Sequence, residues 1–161
     1  MRNASAGVRD TVRRRYYEPY RRDVETFVAT AIAHGTRVVH VSSHSFTPSL
    51  DGDVRRADVG LLYDPTCARE RDLCIRWRRA LQARAADWNV RRNYPYLGRS
   101  DGLTSYLRKH YGDDMYAGVE LEVNQKRVRN GAFPARDRRV ITAALLDALA
   151  SQRAIGPSDA R

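Results

Sequence analysis

Lysine is almost missing from this chain. Among its 29 lysine and arginine residues only Lys109 and Lys126 are lysines, so a formal net charge of +10 rests almost wholly on arginine. A basic balance invites nucleic-acid or anion binding. Here the arginines are scattered over every segment, no recognised nucleic-acid motif accompanies them, and the bias reflects composition as much as a binding surface. Nucleic-acid binding is therefore the least favoured reading. Cysteine is scarce too. Cys67 and Cys74 lie seven apart in one predicted helix, two turns from each other, which is too far for a disulfide within it. With no C-x-x-C and no Cys/His cluster, a structural zinc finger is excluded and buried free thiols are expected. Long apolar runs are absent, so nothing approaches a membrane span, and Met1–Ser5 leads into no apolar signal core. A soluble, cytoplasmic chain making no use of a membrane is expected.

The 161 residues are 42% hydrophobic, enough for the core of one domain. That domain is expected over 1–152, followed by a frayed tail over 153–161. The organising stretch is Arg37–Pro48, a β-branched apolar run ending in a small polar loop. It reads as a buried central strand over 37–42 whose carboxyl end delivers His44, Ser45 and Thr47 together. Ligands of open α/β sheets bind beyond the carboxyl ends of strands, so His44 stands where a metal ligand or general base would sit.

Around this stretch, helices and strands alternate. Residues 8–34 show an amphipathic pattern through Val12, Tyr16, Tyr20, Val24, Phe27, Val28, Ala31 and Ile32, with Pro19 expected to kink or divide it. The arginines of this segment, interleaved with acids, read as a solvated face. Residues 49–57 form a loop with Asp51-Gly52 turn chemistry. A second apolar strand covers 58–63, a helix about 67–86, and a short strand 89–92. A polar aromatic loop over 93–102 follows, then a short helix over 103–111. The strand 116–125 puts Glu120 and Glu122 on one face and Val119, Leu121 and Val123 on the other. Two carboxylates so close need a cation, a metal or solvent. A final helix over 134–152 turns Val140, Ile141, Ala144, Leu145, Leu146 and Leu149 inward. The alternation predicts an α/β three-layer sandwich with a mostly parallel or mixed sheet.

Four motifs occur in order: His44–Pro48; Arg55 with Asp58–Pro65; Asn93–Gly98 with Asp101-Gly102; and Gly118–Gln125. Together with the lead-in Arg15–Arg21, they resemble the N-formylglutamate amidohydrolase family over roughly residues 10–150. The resemblance implies a carboxypeptidase-like metallohydrolase fold and a Zn2+-dependent cleavage of N-formyl-L-glutamate to formate and L-glutamate, a late step of histidine degradation. It implies His44 as a zinc ligand and Glu122 as the catalytic carboxylate, with Glu120 as second choice. Arg55 and the Asn93–Gly98 loop, with Asn93, Tyr96 and Gly98, would hold the substrate, together with Ser45, Thr47 and Asp101. These roles agree with chemistry. Zinc acidifies bound water, a carboxylate relays its proton to the leaving amine, and an arginine fork suits a dicarboxylate.

The family pattern also includes an N-terminal segment with a Cys-Glu-His-Ala-type motif supplying further zinc ligands, and this sequence does not show it. His34, His40 and His110 do not match ligand positions, and His40 reads as a core or sheet-face histidine. A fold incomplete at its N-terminus, with an exposed sheet edge, is therefore expected. Three readings stand: a metal-dependent amidohydrolase whose activity in this form is open, a non-catalytic module binding a small dicarboxylate, and a basic nucleic-acid-binding protein.

Overall fold

The computed structural model describes residues 5–100 and 102–153. The expected tail lies, but for Arg153, outside the described residues. The elements are α1 (Ala6–Val12), a π turn (Arg13–Tyr17), α2 (Glu18–Ala33), β1 (Val38–Phe46), β2 (Ser49–Leu50), β3 (Asp53–Val54), β4 (Val59–Leu62), α3 (Ala68–Arg84), β5 (Val90–Arg92), α4 (Leu103–His110), β6 (Tyr116–Asn124), a 3-10 turn (Gln125–Arg127) and α5 (Ala135–Arg153).

Pro19 does not break the first helical segment. It sits in the first turn of α2, directly after the π turn. Proline has no N–H to donate and its ring crowds the carbonyl four residues earlier; the wider π turn accommodates both within one continuous helix. The Asp51-Gly52 pair closes a β2–β3 hairpin where a loop was expected. Both residues take positive φ, 49° and 83°, the conformation a two-residue hairpin turn requires.

Four strands form one mixed sheet in the order β1-β6-β4-β5. β1 runs parallel to β6, β4 runs antiparallel to β6, and β5 parallel to β4. This corrects the expectation that the His44 strand is central and buried. Among the described residues β1 is an edge strand, half-buried at its start and exposed over Ser43–Ser45. Its second half carries polar residues on both faces, so it cannot fill an interior position. β4 and β6 can: every residue of β4 is buried, and in β6 only Glu120 is half-exposed.

Helices cover both faces, giving the expected α/β sandwich. On one side α3 and α5 pack Leu73, Cys74, Trp77, Leu81, Ile141, Ala144 and Ala148 onto Val59, Leu61, Val119, Leu121 and Val123. Trp77 is fully buried and its Nε1 donates to the Ile141 carbonyl at 3.3 Å. Burying one such large side chain stabilises by roughly 1.5–3 kcal/mol. Cys67 and Cys74 are buried free thiols, and burial pushes the thiol pKa of Cys74 well up. Leu146, expected inward, is 61% exposed, because the buried stripe of α5 runs through Ile141, Ala144 and Ala148 instead.

On the other side α2 and α4 bury only Val28, Leu107 and Tyr116 together. Tyr16, Tyr20 and Phe27, expected in that stripe, are 61%, 55% and 77% exposed. The α3/α5 face thus holds most of the core, while the α2/α4 face stays polar and open over the carboxyl half of β1. No helix of the described residues is long and apolar enough to cross a membrane.

Candidate active site

Strand register builds the site. Parallel pairing of β1 with β6 sets His40 opposite Gly118, Ser42 opposite Glu120 and His44 opposite Glu122. Side chains alternate across a strand, so these six share the open face and Val39, Val41, Val119 and Leu121 share the core face. The antiparallel β4 adds Gly60 beside Glu122 and Leu62 beside Glu120.

Gly60 permits the next layer. A Cβ there would overlap the carbonyl oxygen of Tyr94, so only glycine lets the 93–98 loop lie over the strand next to Glu122. Asn93 holds that loop. Its side-chain oxygen accepts from the Tyr63 amide at 3.0 Å and the Gly98 amide at 3.3 Å, with its own φ at 48°. Gly98 is buried against the backbone of Tyr63, where a Cβ would again overlap.

Arg55 is buried beneath the loop. Its Nη1 donates to the Tyr96 hydroxyl at 3.0 Å, and its guanidinium lies 5.1 Å from that ring's centroid. Asn124, fully buried, donates to the Arg55 and Ala57 carbonyls at 2.9 and 2.8 Å, tying the Arg55 segment to β6.

A cleft of about 300 Å³ opens on this face, lined by Tyr17, Tyr20 and Arg21 of the N-terminal helix, Ser42 and His44 of β1, Gly102 and Leu103 at the start of α4, and Glu120 and Glu122. Glu122 is 6% exposed, and its Oε2 is buried with no hydrogen-bond partner among the described residues. Burial pushes its carboxyl pKa above the usual carboxylate range; the neighbouring His44 pulls it down, Glu120 pushes it up further, and Arg55 pulls it down. Glu120 accepts from the Thr104 hydroxyl at 2.7 Å. His44 is exposed, with Nε2 2.9 Å from the Ser42 hydroxyl. His40 lies deeper, its Nδ1 2.8 Å from the Tyr116 hydroxyl, and burial lowers its pKa.

The structure brings together His44, Glu120 and Glu122 at the cleft. Arg55, Asn93, Tyr96 and Gly98 do not line it: Arg55 is among the charges acting on Glu122 and is held by Tyr96, while Asn93 and Gly98 fix the loop against Tyr63. The structure separates Ser45 from the cleft. β1 continues through Phe46, so Ser45 turns to the opposite face, where Gln125 Nε2 reaches its hydroxyl at 3.2 Å. Thr47 is exposed beyond the strand end, and Asp101 lies outside the described residues.

Two groups escaped the sequence reading. Arg21, expected on a solvated face, lines the cleft; helical spacing shows which residues share a face, not which face meets a neighbour. Glu70 is fully buried on α3. Its Oε1 accepts from Arg108 Nε and the Gly118 amide, both at 2.7 Å, and its Oε2 from the Asp64 amide at 2.9 Å. Arg108 in turn donates to the carbonyls of Gly98 at 2.9 Å and Gly118 at 2.8 Å. This network locks the 93–98 loop and α4 to β6, and no local signal marks a pair 38 residues apart.

Chemically, a carboxylate with a raised pKa and a free oxygen, set beside a histidine in an open cleft, can accept and return a proton. A metal is a different matter. A catalytic zinc takes three protein ligands, and the described residues contain no group of three or more His, Cys, Asp or Glu able to hold a metal ion. His44 and the neighbouring carboxylates do not by themselves fit a zinc site.

Comparison with known proteins bears on the family and the fold. The family model of N-formylglutamate amidohydrolase matches residues 2–128. Among solved structures, the chain is similar to gene product Atu2144 from Agrobacterium tumefaciens, with a TM-score of 0.68 and 29% identity over 94% of this chain and 57% of that one. It also shares its fold with the N-formylglutamate amidohydrolase from Ralstonia eutropha JMP134, with a TM-score of 0.57 and 21% identity over 92% of this chain and 56% of that one. The chain thus spans a little over half the length of these solved relatives. No curated protein matches it.

Proposed function

The chain belongs to the N-formylglutamate amidohydrolase family, and from that premise we propose that it acts as a hydrolase on the amide C–N bond of N-formyl-L-glutamate. The observation that carries the reading is Glu122, which lines the cleft beside His44 and whose buried Oε2 has no hydrogen-bond partner among the described residues.

In this reading Glu122 takes a proton from a water as the water's oxygen bonds to the formyl carbon. The C–N bond then breaks, Glu122 returns the proton to the leaving nitrogen, and formate and glutamate are released. The raised pKa of Glu122 suits the first half of this relay, because it makes the carboxylate a stronger base toward the water's proton, and the carboxyl group so formed hands that proton to the more basic leaving nitrogen. Arg55, held by Tyr96 under the loop, balances negative charge next to Glu122. A zinc ion would require ligands beyond the described residues, so no step is routed through one. Within metabolism the reading corresponds to a late step of histidine degradation.

A second reading, a module that binds a small dicarboxylate without turning it over, is favoured by one observation: the lack of a three-ligand metal group among the described residues. Formate release from N-formyl-L-glutamate by the purified chain, compared with Glu122→Gln, separates the two. Release that depends on Glu122 supports hydrolysis; ligand binding with no release in either protein supports the binding module.

A further inference from the structure

Arg21 is built into the cleft in a way that a solvated arginine is not. It lies four residues after Tyr17 and four before Glu25, so all three share one helix face. Its Nη1 donates to the Tyr17 hydroxyl at 2.8 Å and its Nε to Glu25 at 3.3 Å. The guanidinium lies 4.4 Å from the Tyr106 ring centroid on α4 and 5.5 Å from that of Tyr17. Two rings and a hydroxyl therefore hold the group in place before any ligand arrives. Among the described residues its Nη2 has no protein partner, which leaves a donor edge available at the cleft. The Glu25 contact is a single hydrogen bond in a partly exposed pair, with side chains 22% and 35% exposed, and such pairs contribute little. A ligand carboxylate meeting the free edge competes with it on favourable terms.

The cleft needs such a cation. Glu120 and Glu122 both line it and oppose an anionic ligand. A substrate of the kind proposed above carries two carboxylates at different distances from the scissile bond. The α-carboxylate is attached to the carbon bearing the scissile nitrogen and must stay near Glu122, where Arg55 is among the charges acting. The side-chain carboxylate lies further along the chain and must reach another wall. Arg21 projects from that wall, formed by α2 and α4, and the charged and polar groups acting on it are Tyr17 and Glu25, not Glu122.

We propose that Arg21 is the specificity residue of this cleft: it binds the side-chain carboxylate of the substrate and selects acidic over neutral N-acyl amino acids. The proposal rests on the hydrolase reading of the preceding subsection for the orientation of the substrate.

The test is calorimetric titration of wild type, Arg21→Met and Arg21→Lys with N-formyl-L-glutamate and with N-formyl-L-glutamine, which lacks only the side-chain charge. Wild type is expected to prefer the glutamate ligand. Arg21→Met is expected to lose about ten-fold or more in affinity for it, the worth of a charge-assisted hydrogen bond, while its affinity for the glutamine ligand is unchanged. Arg21→Lys is expected to recover part of the loss. Equal weakening toward both ligands would show a merely structural arginine and overturn the proposal, as would no weakening at all. Wild type binding neither ligand would overturn the hydrolase reading and this inference with it, which distinguishes that failure from one confined to Arg21.

Discussion

Arg108 Nε meets the carboxylate of Glu70 at 2.7 Å in a pair where Glu70 is fully buried and Arg108 nearly so. This contact joins α3 to α4, and its further hydrogen bonds reach β6 and the 93–98 loop. Breaking a buried pair leaves an uncompensated charge, which costs about 3–5 kcal/mol. Arg108→Ala is therefore expected to lower the urea midpoint sharply, because that loss is a large share of the roughly 5–15 kcal/mol that stabilises a domain. Glu70→Gln, which keeps the shape and one acceptor, is expected to cost less. The double variant is expected to cost less than the sum, because each change removes the same interaction. Additive losses would show that the two groups act independently.

Glu122→Gln tests the proton relay. General acid–base catalysis contributes about 10²- to 10⁴-fold, so formate release is expected to fall by at least about 100-fold with KM little changed. Burial raises the carboxyl pKa of Glu122, so the acidic limb of the wild-type profile is expected above the ordinary carboxylate range of about 4.3. A limb at or below that value would exclude Glu122 as the group observed.

Gly60→Ala puts a methyl group into the Tyr94 carbonyl oxygen, with Glu122 Cβ close on another side. Neither neighbour can move without shifting backbone. Overpacking of this kind costs about 1–3 kcal/mol, and the displaced loop carries Tyr96, the partner of Arg55. Chemical denaturation is expected to show the loss of stability, and titration with N-formyl-L-glutamate a weakened site. Unchanged stability would mean that the loop does not rest on β4 in solution.

Acid stability is expected to depend on Asp58. Burial pushes its carboxyl pKa up, but the Asn89 amide, Lys126 and Arg127 outweigh it and hold the group below its ordinary value. A folded-state pKa below the unfolded one contributes stability that is present above the unfolded value of about 3.9 and is lost as pH falls through the folded value. Wild-type unfolding free energy is thus expected to drop with pH from about 5 downward, and Asp58→Asn to flatten that slope. Parallel slopes in the two proteins would remove Asp58 from the acid transition.

Much of the fold was legible because it depends on local pattern. The 3.6-residue stripe of Leu73, Trp77 and Leu81 announces α3, Asp51-Gly52 announces a turn, and the alternation of Val119, Glu120, Leu121 and Glu122 assigns each side chain to a face before any partner strand is known. The reading of the His44 stretch went wrong where local pattern runs out. A β-branched run looks the same on an edge strand as on a central one, and what separates them is whether the far side meets a partner, which β1 does not among the described residues.

The sequence by itself determined the class of fold, the shared face of the two glutamates and the motifs of the family, because strand and helix periodicity and ordered residue types act over a few neighbouring positions. Tertiary structure alone decided that His44 faces Glu122 across β1 and β6, that Ser45 turns away, that Glu70 and Arg108 meet in the interior, and that Arg21 looks into the cleft rather than into water. These pairings join residues from about 38 to nearly 80 positions apart. They depend on strand order, register and helix docking, which are set by the burial of the whole core and by no single stretch of the chain.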